Sequence, residues 1–226
     1  MLKLDSKRFS KYIILLILIS LTNSLLLVIV SFYSHNYSFL YFIWNLFLSW
    51  VPLALSITLI YILKNKLWSS WSALFFSFVW LIFIPNSFYM ISDFVHLIEV
   101  PTNYLLYFVI AFTAIIYSAS INGYISLYLI HRELKKRLRP GTSWLVVAII
   151  CLISSYAIYI GRVLRWNSWD ILINPGGVLF DVSDNFLNFN SLKNSILTTL
   201  LFFVLIFSIY ILIDRGLKYL KRTKTI

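Results

Sequence analysis

The stretch YIILLILISLTNSLLLVIVSFY, residues 12–33, carries no charged side chain over 22 residues. An α-helix of about 20 apolar residues crosses the roughly 30 Å hydrocarbon core of a bilayer. Five more stretches are similar, and the predicted spans lie near residues 12–33, 39–63, 68–84, 104–130, 144–160 and 195–213. The chain is 61% hydrophobic and 12% charged, whereas soluble domains carry roughly a quarter charged residues. The sequence therefore predicts one integral membrane domain over residues 1–226, an all-α bundle of about six transmembrane helices.

The basic residues lie almost entirely in alternate connections between these spans. Of the 19 Lys and Arg residues, only Arg162, Arg165 and Lys193 lie on the side away from the chain termini. Basic residues concentrate in cytoplasmic connections, so both termini are predicted to be cytoplasmic. The net charge of +11 is thus a topology signal, which favours membrane lipids, and other membrane proteins, as partners and excludes nucleic acid. The Ile-, Lys- and Asn-rich composition is typical of a bacterial protein, so a multi-pass protein of the bacterial cell membrane is expected.

The usual sequence signatures of cofactor chemistry are missing. The chain has no Walker loop, no Gly-rich dinucleotide motif and no His-Glu-x-x-His zinc motif. Cys151 is the sole cysteine and falls within a predicted span, where a small core side chain is expected. No cofactor is predicted.

A first polar cluster follows Pro85 on the predicted outer side. Pro85 is expected to kink or restart the helix, because proline removes a backbone hydrogen bond. In a helical continuation, the side chains of Asn86, Tyr89, Asp93 and His96 would share one face. Asp93 and His96 could form a structural hydrogen-bond knot, a catalytic acid/base pair or part of a metal site. The metal interpretation is disfavoured because zinc needs three or four protein ligands, and no metal site is predicted.

A second polar cluster, GRVLRWNSWD, occupies residues 161–170. Arg162 and Arg165 are spaced i,i+3, with Trp166 and Trp169 on nearly the same helical face. Two Arg side chains beside indole rings suit a phosphate or carboxylate, through paired hydrogen bonds and cation–π contacts. The alternative is a set of salt bridges from the two arginines to Asp93, Glu99 or Asp170. Five acidic residues, Asp93, Glu99, Asp170, Asp181 and Asp184, nearly balance the three basic residues of this side. We predict an outward-facing polar pocket here, whereas the salt-bridge alternative would give a closed network. The predicted pocket is lined by Asn45, Asn86, Tyr89, Asp93, His96, Arg162, Arg165, Trp166, Asn167 and Asp170.

A short interfacial helix is predicted after the turn at residues 174–177. Apolar side chains recur at helical spacing in Leu179, Val182, Phe186 and Phe189, and Asp181, Asp184, Asn185 and Asn188 occupy the other side. The acidic side disfavours anionic lipid, so packing over the outer mouth of the bundle is expected.

Three motifs together resemble the bacterial membrane proteins grouped as domain of unknown function 1361. They are WNLFLSWVPLA at residues 44–54, WLIFIPNSFYMISDFVHL at 80–97 and GRVLRWNSWD at 161–170. The typical family segment reads Pro-Asn-Ala-Pro-Tyr. Here Ser87 and Phe88 replace Ala-Pro, while Asn86 and Tyr89 are kept. The resemblance implies a multi-spanning bacterial membrane protein and carries no activity.

The leading functional hypothesis is recognition, with or without modification, of an anionic lipid or lipid-linked envelope precursor at the outer leaflet. Arg162 and Arg165 would hold phosphate, and Asp93 and His96 would be the acid/base pair. One alternative is a non-enzymatic scaffold or accessory subunit whose polar cluster is structural. A small transporter is the third hypothesis, and the inner halves of the spans offer few polar residues for it.

Overall fold

The computed structural model describes the backbone of residues 6–223 and the side chains of residues 9–219. This part of the chain is mostly helical and contains no strand. Six of its helices are long and apolar enough to cross a membrane: Phe9–Ser34, Tyr41–Ile62, Trp71–Glu99, Thr102–Leu134, Pro140–Leu164 and Phe189–Tyr219. The prediction of a six-helix membrane bundle is confirmed. The basic residues Lys3, Lys7, Arg8, Lys221, Arg222 and Lys224 lie outside the described side chains.

Eight α-helices follow one another along residues 6–223. They are α1 (Ser6–Ser34), α2 (Tyr41–Ile62), α3 (Trp71–Tyr89), α4 (Leu105–Leu134), α5 (Pro140–Tyr159), α6 (Asp170–Ile173), α7 (Pro175–Leu187) and α8 (Phe189–Thr223). A 3-10 segment, Met90–Glu99, continues α3; a second, Thr102–Tyr104, precedes α4; and a π-helical turn, Ile160–Leu164, continues α5. Connections 35–40, 90–104 and 160–188 lie at what we call the far end, and connections 63–70 and 135–139 lie at the terminal end.

Helices α2, α3 and α4 pack closely around small residues. A Cβ added at Gly123 would lie 2.6 Å from Ser87 Cβ, so α3 and α4 touch at a point that only glycine permits. The Ser87 hydroxyl donates to the Ser49 carbonyl at 3.1 Å, and Asn122 Nδ2 donates to Ser49 Oγ at 3.1 Å. Small residues let helices approach within a membrane, and polar groups there need internal partners. This polar contact fixes the position of α3, which leads into the first polar cluster.

A kink or a restart of the helix was predicted at Pro85, and the restart is wrong. Helix α3 continues through this proline to Tyr89, where the 3-10 segment begins. Ile84 and Phe88, on either side of the proline, are almost completely buried. Tertiary packing of the flanking side chains therefore holds the helix together despite the hydrogen bond that the proline removes.

The second proline, Pro52, also lies inside its helix, α2. Its ring frees the carbonyl of Leu48 from the helical hydrogen-bond pattern. The Ser49 hydroxyl donates to the Leu46 carbonyl at 2.6 Å. Ser126 of α4 donates to the carbonyl of Pro52 itself at 2.8 Å. A side chain from the neighbouring helix thus supports the backbone at this proline.

At the terminal end, α4 and α8 are joined by charged residues that the sequence analysis did not single out. Asp214 is buried and pairs with Lys135 at 2.7 Å and with Lys218 at 2.8 Å. Both ammonium groups lie over the Trp144 ring, 5.4 and 5.9 Å from its centroid. Burial lowers the pKa of Lys135, and the Asp214 carboxylate opposes that shift. The cluster anchors the last helix to the bundle core.

Candidate functional site

Acidic and imidazole side chains form a row along the 3-10 segment at the far end. Asp93, His96 and Glu99 are spaced by three residues, and a 3-10 helix has three residues per turn, so these side chains align. The face predicted for an α-helix held Asp93 and His96 and did not include Glu99. In the 3-10 segment all three lie on one side, where Asp93 and His96 contact Arg162 and Glu99 contacts His96.

The guanidinium of Arg162 contacts several side chains of this segment. Its guanidinium forms an ion pair with Asp93 Oδ1 and donates to Ser92 Oγ at 2.7 Å from Nη2 and 3.0 Å from Nε. Its Nη1 donates to His96 Nε2 at 2.9 Å, and its central carbon lies 4.7 Å from the centroid of the Tyr89 ring. The salt bridge considered in the sequence analysis as an alternative to anion binding is therefore present between Arg162 and Asp93.

Both ring nitrogens of His96 are engaged. Because Nε2 accepts from Arg162, the proton of the neutral ring lies on Nδ1, which donates to Glu99 Oε1 at 2.7 Å. Asp93 and His96 thus share Arg162 as a partner. The arrangement is a closed chain of acid, guanidinium, imidazole and acid.

The ion pair is largely buried. The Asp93 side chain is 1% exposed and that of Arg162 is 24% exposed. Breaking a buried pair by removing one partner costs about 3–5 kcal/mol, because the other charge stays buried. Arg162 therefore cannot leave Asp93 for an external anion at low energetic cost.

The backbone after Gly161 departs from the expected helix. A Cβ at Gly161 would lie 2.9 Å from the Tyr89 ring, so the π-helical turn approaches this ring closely. The turn ends at Arg165, which has the left-handed φ of 61°. The expectation that Arg162 and Arg165 share a helical face with the tryptophans is wrong for this reason. Arg165 is exposed and has no ion pair within the described part of the chain.

A cavity of about 280 Å³ lies beside the ion pair, between α2, α3 and α5. Its polar and aromatic lining comprises Tyr41, Asn45, Asn86, Tyr89, Trp166, Asn167, Ser168 and Trp169. Asn45, Asn86, Tyr89, Trp166 and Asn167 are residues that the sequence analysis placed in a pocket. Asp93, His96, Arg162, Arg165 and Asp170 lie outside this lining. Tyr41 is the member that no sequence signal indicated, since it follows a short connection with no motif.

Asn86, a residue of the cavity wall, has a buried amide donor without a partner in the described part of the chain. Ser168 Oγ donates to Asn86 Oδ1 at 2.9 Å, whereas Asn86 Nδ2 is buried and has no partner among the described residues. Asp170 accepts from the backbone N–H of Asn167 at 2.6 Å, which orders the loop. The side chains that line the cavity are amide, hydroxyl, aromatic and aliphatic, and none of them is charged. This lining suits a neutral, hydroxyl-bearing group.

Helix α7 covers one side of the cavity through Val178. The helix predicted at the interface is present, and its polar side faces the protein. Asp181 Oδ2 accepts from Trp166 Nε1 at 2.7 Å, and Asn185 Nδ2 donates to Tyr159 Oη at 2.7 Å. The opposite, exposed side carries the large apolar residues Leu179, Phe180, Phe186 and Leu187. At a membrane surface this orientation turns the apolar side toward lipid.

The described residues contain no group of three His, Cys, Asp or Glu side chains that could hold a metal ion. Asp93 and His96 therefore gain no third protein ligand of these types within that part of the chain. Their use in catalysis and the absence of a cofactor stay predictions.

The fold and this cavity define a multi-pass helical membrane protein with an uncharged polar cavity at the far end. A family model described as "Protein of unknown function (DUF1361)" matches residues 44–213, and the chain belongs to this family. The matched region begins in α2 and ends in α8, so it includes the ion pair and the cavity. The resemblance drawn from the three motifs is confirmed. No curated protein and no solved structure matches the chain.

Proposed function

We propose that this protein binds the polar headgroup of a membrane lipid or lipid-linked envelope precursor in the far-end cavity. The observation that carries the proposal is an uncharged, aromatic and amide-lined cavity of about 280 Å³ under an interfacial helix. The basic residues of the opposite end support a cytoplasmic location for the termini, which puts the cavity at the outer leaflet of the cell membrane.

The lining favours a hydroxyl-rich headgroup such as a sugar. Asn86 contributes its amide side chain to the cavity wall, and the amides of Asn45 and Asn167 can both donate and accept. The rings of Trp166 and Trp169 offer flat apolar surfaces at the same site. A sugar ring has hydroxyl groups that can bond to the amides and an apolar face that can pack against the indole rings. It therefore matches this lining better than a bare phosphate does.

The two arginines have different roles in this proposal. Arg162 is held by Asp93 and orders the Tyr89 side of the cavity. Arg165 is exposed at the end of the π-helical turn, next in sequence to Trp166. It is therefore the basic side chain that can meet a phosphate linking the headgroup to its lipid.

Recognition is favoured over modification. A general base needs a nitrogen free to take a proton from the reacting group, and both nitrogens of His96 are engaged with Arg162 and Glu99. The same closed chain supports the alternative role of a scaffold or accessory subunit, in which the polar cluster only stabilises the bundle.

The test compares headgroups and cavity variants in the purified full chain. Unfolding temperature is measured in nanodiscs with and without a glucosyl diacylglycerol, with phosphatidylcholine as the reference lipid. We expect the glycolipid to raise the unfolding temperature of the wild type, and Asn86→Ala to abolish the rise. Asn103→Ala is the matched control, because Asn103 is exposed at the same end and does not line the cavity. An equal rise in both variants, or no rise in the wild type, would overturn the proposal.

A further inference from the structure

A second cavity, of about 400 Å³, lies between α5 and α8 and is closed at the far end by Phe186 of α7. We call it the lateral groove. Its walls include Leu152 and Ile153 of α5 and Ile196 and Leu200 of α8. All four side chains are also partly open to the outside of the bundle. The lateral groove is therefore an apolar slot that opens sideways from the spanning region.

The lateral groove extends through one leaflet. Leu152 lies seven residues before Tyr159, the last residue of α5, a rise of about 10 Å. Leu200 lies eleven residues after Phe189, the first residue of α8, a rise of about 16 Å. Half of a hydrocarbon core about 30 Å thick is about 15 Å. The groove thus begins near the interface and stops close to the middle of the membrane.

We infer that the lateral groove holds a hydrocarbon chain of the lipid whose headgroup occupies the far-end cavity, an inference that rests on the proposed function. Helix α7 contributes to both sites, through Val178 in the cavity and Phe186 in the groove. These residues are two turns apart, about 12 Å along the helix. The hydrogen bond from Asn185, the neighbour of Phe186, to Tyr159 holds α7 against the end of α5 beside the groove.

The length of the lateral groove selects a lipid chain over a partner helix. A transmembrane helix of a second protein would cross both leaflets and would need a matching face along the whole of α5 and α8. The hydrocarbon chains of a lipid in the far-end leaflet extend only to the middle of the membrane, as the groove does. The ligand class is therefore a chain-bearing lipid that enters laterally between α5 and α8, and a water-soluble sugar would occupy only part of the site.

Photocrosslinking tests this inference in the full chain. The probe is a glucosyl diacylglycerol with a diazirine in one acyl chain, incorporated into nanodiscs of phosphatidylglycerol and phosphatidylethanolamine. After irradiation, labelled peptides are mapped by mass spectrometry. We expect labelling around Leu152 and Leu200 to exceed labelling of the lipid-exposed side chains Leu18 and Leu21 of α1.

Two adjacent leucines supply the variants. Leu200→Trp fills the lateral groove and should abolish the excess labelling, whereas Leu201→Trp, on the exposed surface beside the groove, should leave it unchanged. Asn86→Ala should also lower it, because the headgroup would no longer hold the lipid. Labelling at the level of α1, labelling that survives Leu200→Trp, or labelling indifferent to Asn86→Ala would each overturn the inference. A glycolipid-dependent rise in unfolding temperature that persists alongside such a result would leave the headgroup proposal standing.

Discussion

Arg162 and Asp93, 69 residues apart in the chain, form a buried ion pair that joins the end of α5 to the 3-10 segment after α3. The pair sits directly behind Tyr89, which lines the far-end cavity. The shape of the cavity therefore depends on an electrostatic contact that is not part of its lining.

Arg162→Met should destabilise the protein by about 3–5 kcal/mol, because Asp93 would remain buried without a counter-charge. The free energy of unfolding in detergent solution measures this effect. Arg165→Met is the matched control: it removes an exposed cation three residues away and should change stability by at most about 0.5 kcal/mol. Equal losses in the two variants would contradict the assignment of Arg162 as the structural partner of Asp93.

Two glycine-to-alanine substitutions should change the stability of the protein in opposite directions. Gly123→Ala places a methyl group 2.6 Å from Ser87 Cβ and should cost about 1–3 kcal/mol through overpacking. Gly216→Ala meets no atom within 4 Å in α8 and should stabilise by about 0.5–1 kcal/mol, because alanine favours helix more than glycine. Thermal unfolding of both variants measures these changes in stability. A Gly123→Ala variant as stable as the wild type would show that α3 and α4 do not touch at this position.

Tyr210→Phe should destabilise by about 1–3 kcal/mol, since it leaves a buried polar atom unpaired. His131 is fully buried, and its Nδ1 lies 2.6 Å from the Tyr210 hydroxyl. Tyr219→Phe removes the same atom from an exposed side chain of α8 and should be close to neutral. If the unfolding free energies of the two variants agree, the α4–α8 contact at the terminal end is not a stabilising one.

The membrane orientation can be measured with single cysteines. Cys151 is buried, so its background labelling should be low. In intact cells a membrane-impermeant maleimide should label Asn103→Cys at the far end and spare Arg139→Cys at the terminal end. The reverse pattern would place the far-end cavity on the cytoplasmic side and contradict the topology predicted from the basic residues.

Only part of this structure could be predicted from the sequence. The spans follow from uninterrupted apolar length, so they were predictable. Asp93 was one of the predicted candidate partners of Arg162. That Arg162 pairs with Asp93 depends on two departures from α-helical geometry. The 3-10 spacing aligns Asp93, His96 and Glu99, and the close approach of Gly161 to Tyr89 accompanies the π-helical turn. Neither departure has a local sequence signal, because each results from packing between distant helices.

Helix α7 illustrates a different limit. Its amphipathic pattern predicted a helix, and a helix is present. Amphipathic arguments for soluble proteins put the polar side in water and the apolar side in the core. At a membrane interface the surroundings include lipid, so Phe186 faces outward while Asn185 bonds to Tyr159. Which side of α7 faces the protein therefore could not be predicted from the periodicity alone.

Headgroup discrimination by the far-end cavity is the most direct test of the proposed function. Native mass spectrometry of the full chain, with an equimolar mixture of glucosyl diacylglycerol and phosphatidylcholine of identical acyl chains, measures it in one experiment. The account predicts retention of the glycolipid by the wild type and by Asn103→Ala, and its loss in Asn86→Ala. Retention of both lipids in the proportions supplied, whatever the residue at position 86, would contradict it.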